Sequence, residues 1–268
     1  MDNSIQLNKK IAFCFLIYDK INHEALWYQY LKNIDRDKYN IYIHYKHDIP
    51  LLYFNKYKLL TTIPTQYGGI SIVMAQLLLL QEALKDKDNQ HFIWLSQACV
   101  PLKSFDTIYN SLDETKSYFN LAPDTQVFPR ANLCLKYIRD RKRVKKANMA
   151  SIVNRKHAIF FLTNHSRIRK IFSGIKHVDE IALITVLHCM NLQHEIISTH
   201  NIAAGAIIFA QWSDIDNYKV FQKSIKKNDY TYMSICQEEL DYLVKSNSLF
   251  GRKFEEGCRG LENLLDMF

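Results

Sequence analysis

The segment Lys10–Tyr18 (KIAFCFLIY) carries no charged or amide side chain between its first and last residues. A half-buried strand alternates polar with apolar residues and an amphipathic helix keeps a polar face; this run does neither. Its length and aromatic content fit a strand buried on both faces, the central position in a parallel sheet covered by helices. His23–Lys32 (HEALWYQYLK) then sets Ala25, Leu26, Tyr30 and Leu31 near helical spacing, and Tyr39–His44 (YNIYIH) returns to strand composition. The chain therefore opens β-α-β.

A further strand is expected near Leu59–Ile63, then a turn at Tyr67-Gly68-Gly69 and a long helix from Ile70 to about Leu84, apolar nearly all round and hence deeply packed. His91–Ser96 reads as a core strand, Phe105–Leu112 as a short helix, and Ser117–Leu121 and Met149–Val153 as strands. Arg155–Leu162 and Asp179–Met190 read as helices and Glu195–Thr199 as a strand. This alternation predicts an α/β fold with a mostly parallel central sheet flanked by helices. No repeat or linker-like stretch interrupts it, so residues 1–268 are expected to form one domain.

With 48% hydrophobic and 23% charged residues the chain can bury a full core, and 7 Gly and 5 Pro exclude collagen-like and low-complexity classes. The excess of 35 Lys+Arg over 27 Asp+Glu, a net charge of +8, suits nucleic acid, an anionic membrane or a phosphate-bearing small molecule. Position has to decide. The basic residues crowd between Arg130 and Lys146 (Lys136, Arg139, Arg141, Lys142, Arg143 and Lys145 among them) without regular aromatic interleaving, so no nucleic-acid partner is expected. No apolar run approaches the roughly 20 residues of a membrane span. The polar start, Met1–Lys10, has no leader character, and a soluble, cytoplasmic protein is expected. Six widely spaced cysteines without a CxxC or paired His read as buried free thiols rather than a zinc site or disulfides. Asn164-His165-Ser166 matches a glycosylation acceptor, read as chance in a chain without a secretory signal.

No GxGxxG, Walker A, GxSxG or HExxH motif occurs, which removes several phosphate-binding, hydrolytic and zinc chemistries. A β-α-β opening without a glycine-rich phosphate loop leaves nucleotide-sugar transferases, where a metal on a D-x-D pair or basic side chains hold the phosphates. Asp35/Asp37 and Asp86/Asp88 precede strands, whereas a metal-binding pair has to sit at a strand's carboxyl end. Asp214/Asp216 is a third such triplet. The segment after the core strand, Gln97-Ala98-Cys99-Val100-Pro101-Leu102-Lys103, has no carboxylate at all. A pyrophosphate bound there needs protein cations and no metal cofactor.

Several segments in one order resemble the core-2/I-branching glycosyltransferase family, which includes β-1,6-N-acetylglucosaminyltransferases and peptide O-xylosyltransferases. They are Tyr18-Asp19-Lys20 with His23, Ile43-His44, Gln66-Tyr67-Gly68-Gly69-Ile70-Ser71 and Leu95-Ser96-Gln97-Ala98-Cys99-Val100-Pro101-Leu102-Lys103. Later come Ser151-Ile152-Val153-Asn154-Arg155, Val178-Asp179-Glu180, Phe209-Ala210-Gln211-Trp212 and Leu249-Phe250-Gly251-Arg252-Lys253-Phe254. The chain is most similar in build to the short microbial and viral members. The resemblance implies a metal-independent, inverting transferase of the glycosyltransferase-A type that takes a UDP-sugar, with GlcNAc or xylose as the sugar, and a glycan or protein hydroxyl as acceptor. It also implies a nucleotide-binding half over about residues 10–115 and an acceptor and catalytic half over about 116–268.

The family's general base maps onto Glu180, with Asp179 as a capping or orienting residue; by pattern alone Glu180 reads as an ordinary first-turn acid. Its pyrophosphate lysine maps onto Lys253. The second cation of the family falls by spacing on Tyr230, so Arg252 is preferred for that role over Lys226 or Lys227. The uridine end is implied at Leu16, Ile17 and Tyr18, with His44, Lys46 and Tyr67; Tyr18 and Tyr67 read equally well as core aromatics. Acceptor contacts are implied at Arg130 and Trp212. Cys99 stands where many relatives carry Asp. A catalytically silent nucleotide-sugar or glycan-binding protein of the same fold is the competing reading.

Overall fold

The computed structural model describes residues 9–127, 131–199, 207–210, 225–228 and 231–268. Strands β1 (Lys10–Ile17), β2 (Tyr39–Tyr45), β3 (Asn89–Ser96), β5 (Ser117–Asn120), β6 (Ile152–Asn154) and β7 (Ile196–Thr199) form the central sheet in the order β2-β1-β3-β6-β5-β7. It is parallel at β1–β2, β1–β3 and β5–β7 and antiparallel on both sides of β6, so it is a mixed sheet that is mostly parallel, as the pattern predicted. β1 lies inside, as its unbroken apolar run requires. Ala12 and Cys14 face one core with Phe92 and Trp94, while Ile11, Phe13, Phe15 and Ile17 face the other with Ile93 and Leu95. The period-2 geometry of a strand turns one run into two cores.

Helices α2 (Ile70–Ala83), α5 (Arg155–Thr163), α6 (His165–Phe172) and α7 (Ala182–Cys189) cover the first face. Helices α1 (Glu24–Leu31) and α3 (Phe105–Ser111) cover the second, where Trp27 stands edge-on to Phe15 with ring centroids 5.1 Å apart. A short helix α4 (Ala131–Cys134) lies between β5 and β6 along the chain. Among the described residues there are also two small sheets: β4 (Val100–Pro101), β11 (Phe250–Arg252) and β8 (Ile208–Ala210) in the order β4-β11-β8, and β12 (Phe254–Arg259), β10 (Thr231–Ser234) and β9 (Lys226–Asn228) in the order β12-β10-β9. Helix α8 (Gln237–Lys245) packs Leu240 and Leu243 into the same third core as Phe254. None of the six cysteines is in a disulfide, and no described helix is long and apolar enough to cross a membrane.

Three expectations about elements need correction. The strand near Leu59–Ile63 does not form. Only one bridge, Ile43 with Lys58, reaches β2; the Ile63 amide donates instead to His44 Nε2 at 2.9 Å, and Leu60 is fully exposed. The helix expected from Asp179 starts at Ala182, because Val178–Glu180 is a separate 3-10 turn and Ile181 leaves helical geometry. The strand expected from Met149 starts at Ile152, the Asn148 side chain having taken the Ala150 amide at 3.0 Å.

Gly68 ties this fold to its chemistry. It has φ +65°, and a Cβ there would lie 3.0 Å from the His177 backbone nitrogen, while its carbonyl accepts from the Val178 amide at 3.3 Å. Gly68→Ala is expected to lower stability by about 1–2 kcal/mol, from the left-handed conformation and the close approach. It is also expected to reduce whatever activity depends on the 178–180 turn, read as a drop in Tm together with kcat; an unchanged kcat would mean that the turn is not held by this contact.

Candidate active site

The carboxyl ends of β1, β2 and β3 are laced by their own loops. Gln97 Oε1 accepts from the Tyr18 amide at 2.7 Å and its carbonyl from the Asn22 amide at 3.0 Å; the Lys46 and His47 amides donate to the Tyr18 carbonyl at 3.0 and 2.8 Å. Onto this edge the chain brings Arg252-Lys253 from far along the sequence. Phe250 and Gly251 pair with Pro101 and Val100, and Arg252 with Ala210. The Phe254 amide donates to the Ala98 carbonyl at 3.0 Å, Asn22 Nδ2 to the Phe254 carbonyl at 2.8 Å, and the Tyr232 amide to the Lys253 carbonyl at 2.8 Å. The backbone on both sides of Lys253 is thus fixed against the turn after β3.

The opposite wall is the Val178–Glu180 turn. The Ala147 amide donates to the Glu180 carbonyl at 2.7 Å, and Lys146 Nζ lies 3.6 Å from Glu180 Oε2, both side chains largely buried. Residues 146–148 run along the extension of β5, with the Ala122 amide donating to Lys146 O at 2.8 Å and the Asn148 amide to Asn120 O at 3.0 Å. Asn148 Oδ1 in turn accepts from Arg252 Nη1 at 3.3 Å. One short strip, Lys146–Asn148, therefore joins the acidic turn to the basic pair. The electrostatics agree with that proximity. Burial and the adjacent Arg252 guanidinium push the Lys253 ammonium below the usual lysine range, with Cys99 and Glu180 acting the other way.

Burial and the charge of Glu180 raise Asp179 above the usual carboxylate range, partly offset by His177 and Arg252. Its Oδ1 is buried and has no hydrogen-bond partner among the described residues. Because the folded-state value is raised, the folded protein holds a proton that the unfolded chain has released, so this group's contribution falls as pH climbs from 3.8 through the raised value. Asp179→Asn is then expected to leave Tm at pH 7 unchanged or higher and to flatten its acid-side dependence. A lower Tm at pH 7 would show that the carboxylate is held by contacts beyond these.

The sequence-predicted residues fall into distinct places. Glu180, Asp179, Arg252 and Lys253 come together. Tyr18 and Tyr67 are exposed and are not core aromatics: Lys46 Nζ sits 4.9 Å from the Tyr18 ring centroid, and Tyr67 stands edge-on to His177 at 5.3 Å. The Ile17 side chain belongs to the second core, and Leu16, half-buried, packs against the first. His44 is fully buried; burial lowers it to about 4, and its Nε2 accepts from the Ile63 amide, so it stays neutral and pins the 59–63 loop. Lys226 lies over the Tyr232 ring at 5.1 Å, and Lys227 follows it in β9. Arg130, Trp212, Tyr230 and Asp214/Asp216 lie outside the described residues. Asp86 pairs with Lys10 at 3.0 Å and accepts from Asn40 at 2.8 Å, at the amino edge of the sheet, while Asp35 caps the Arg36–Lys38 turn. Neither pair is near Lys253.

Sequence reasoning missed Lys146, Asn148 and Gln97. Lys146 was one basic residue among many, and nothing local to it marks the contact with Glu180. Among the described residues no three His, Cys, Asp or Glu side chains group as metal ligands. The Ser117–His157–Glu195 relay shares a hydrolase triad's residue types but not its geometry: Oγ meets Nδ1 at 2.7 Å and Oε2 meets Nε2 at 3.0 Å, the reverse of a triad, and Ser117 is fully buried with its Oγ accepting from the Asn154 amide at 3.0 Å.

A family model described as Core-2/I-Branching enzyme matches residues 11–244. The chain belongs to this family. The match begins within β1 and runs through the Val178–Glu180 turn to α8, ending just before the Arg252–Lys253 pair. Among curated proteins the chain is similar to Glycosyltransferase BC10 of Oryza sativa subsp. japonica, 24% identical over 159 residues, or 56% of this chain and 40% of that protein. Among solved structures it is similar to the WbbM bifunctional glycosyltransferase in its apo form, with a TM-score of 0.42 and 10% identity over 71% of this chain and 39% of that one. The chain spans about two fifths of the length of each of these relatives.

Proposed function

We propose that this core-2/I-branching family member moves a sugar, GlcNAc or xylose, from a UDP-sugar to a hydroxyl of a glycan or protein, by single displacement with inversion and without a metal ion. The observation that carries this reading is the convergence of one carboxylate, Glu180, with two adjacent cations, Arg252 and Lys253, at the carboxyl edge of β3. Glu180 takes the acceptor hydroxyl proton as that oxygen attacks the anomeric carbon. The bond from the anomeric carbon to the β-phosphate oxygen breaks on the opposite face and its electron pair leaves with UDP. Lys253 and Arg252 meet the growing charge on the pyrophosphate, a role that fixed cations fill without reorganising. Arg252 Nε is buried with no partner among the described residues, which leaves one donor for a phosphate oxygen.

In this reading uridine lies along the β1 and β2 edge by the backbone of Leu16 and Ile17 and by the exposed rings of Tyr18 and Tyr67, while the buried His44 holds the 59–63 loop beside them, and Arg130 and Trp212 contact the acceptor. Lys146 orients Glu180 from behind. The test is a panel of UDP-sugars offered to the purified chain with excess EDTA, following UDP release. Release from one UDP-sugar that survives EDTA and disappears in Glu180→Gln supports the reading; UDP binding with no release from any donor would favour a silent binding protein.

A further inference from the structure

A cavity lies at the carboxyl end of α7, the end away from Glu180. α7 begins just after the acidic turn, and its carboxyl end, about 12 Å along the axis by helical rise, forms one wall of a cavity of about 360 Å³. That volume is at the lower end of small-molecule sites. The floor is hydrocarbon: Ile138, Phe160, Ile168, Phe172 and Val186. The rim is cationic, with Arg139 and Arg167 exposed and without an acidic partner among the described residues. Arg143 is differently occupied, its Nη1 donating to the Cys189 carbonyl at 2.7 Å and its Nε 3.6 Å from Asp140. Asp140 is the one carboxylate in the lining, and Arg143 neutralises it.

An apolar floor under two unpaired guanidinium groups selects its ligand by chemistry. A sugar or a nucleotide base buries several hydrogen-bonding groups, for which the floor has no partners. A hydrocarbon chain loses nothing there, and an anionic head gains charge-assisted bonds at the rim. We propose that this cavity binds an amphiphilic anion, with its hydrocarbon chain over Ile138, Phe172 and Val186 and its carboxylate or phosphate head at Arg139 and Arg167. Part of the positive charge between Arg130 and Lys146 then serves this site rather than the sugar-transfer site.

Cys189, half-exposed in the cavity wall, reports occupancy without any assay of transfer. The full chain is labelled with a maleimide above neutral pH, because burial raises this thiol, and modification of Cys189 is followed by peptide mass spectrometry. Decanoate and decyl phosphate, below their micellar concentrations, are expected to protect Cys189 while leaving labelling of Cys236 unchanged. The double variant Arg139→Ala with Arg167→Ala, at exposed positions that leave the fold intact, is expected to raise the half-protecting concentration about tenfold or more. Stronger protection by decanoate points to a free fatty acid, and stronger protection by decyl phosphate to a lipid headgroup. Equal protection by 1-decanol, equal protection by inorganic phosphate, an unchanged half-protecting concentration in the double variant, or no protection at all would each overturn the proposal.

Discussion

Glu180→Gln is expected to lower kcat for sugar transfer by about 10²- to 10⁴-fold, the range over which a positioned general base acts, with UDP affinity and Tm close to wild type. Gln keeps the shape of the side chain and leaves its backbone bond from the Ala147 amide intact, so the turn has no reason to move. What it removes is the group that accepts the acceptor proton. It also removes the partner of Lys146, whose ammonium is 3.6 Å from the carboxylate, and leaves that cation in the site. Substrate binding and proton transfer separate in the kinetics: a variant that loses kcat at unchanged UDP affinity has lost an interaction made in the transition state. Steady-state transfer with the donor that the panel identifies, beside calorimetric UDP titration, measures both. Turnover near wild type would remove Glu180 as the base.

Glu180 and Lys253 show how far the sequence could be read. The β-α-β opening was legible because burial on both faces leaves a strand no polar positions, and Lys10–Tyr18 has none between its ends. Glu180 and Lys253 were legible only through resemblance, since an acid before a helix and a lysine in a loop have ordinary structural readings. Their shared location was not legible at all. It depends on β11 lying between β4 and β8 and on the Lys146–Asn148 strip beside β5, contacts that join Phe250 to Pro101 and Arg252 to Asn148 from distant parts of the chain. The 178–190 segment misled for a physical reason. Its apolar spacing is helical from Ala182 onward, but the Gly68 carbonyl and the close approach of Gly68 to His177 hold the preceding turn in another geometry. His44 misled in the other direction: at a strand's carboxyl end it suggests a ligand contact, and its imidazole is bonded to the Ile63 amide.

Lys253→Met is expected to lower kcat/KM by about 10²- to 10³-fold, as removal of one fixed group that stabilises developing negative charge does elsewhere, and to weaken UDP binding as well. The wild-type pH profile carries the same information. Burial and Arg252 lower Lys253 from 10.5, so it loses its proton at a lower pH than an exposed lysine. Transfer should then decline on the alkaline side before 10.5 is reached. The stability of the fold moves the other way. Between the lowered value and 10.5 the unfolded chain binds the proton that the folded one has released, so this group's contribution to stability rises with pH through that window. An alkaline loss of activity at constant Tm is therefore the signature of Lys253 and not of unfolding. Lys253→Arg keeps the charge at every accessible pH and should move the alkaline limb upward, even where its longer fork lowers the maximum rate. UDP restores the ammonium by pairing with it, so UDP binding in alkaline buffer should take up protons, seen as a dependence of the titration heat on the buffer's ionisation enthalpy. An alkaline limb that Lys253→Arg leaves in place, with no proton uptake on UDP binding, would assign the pyrophosphate to other cations.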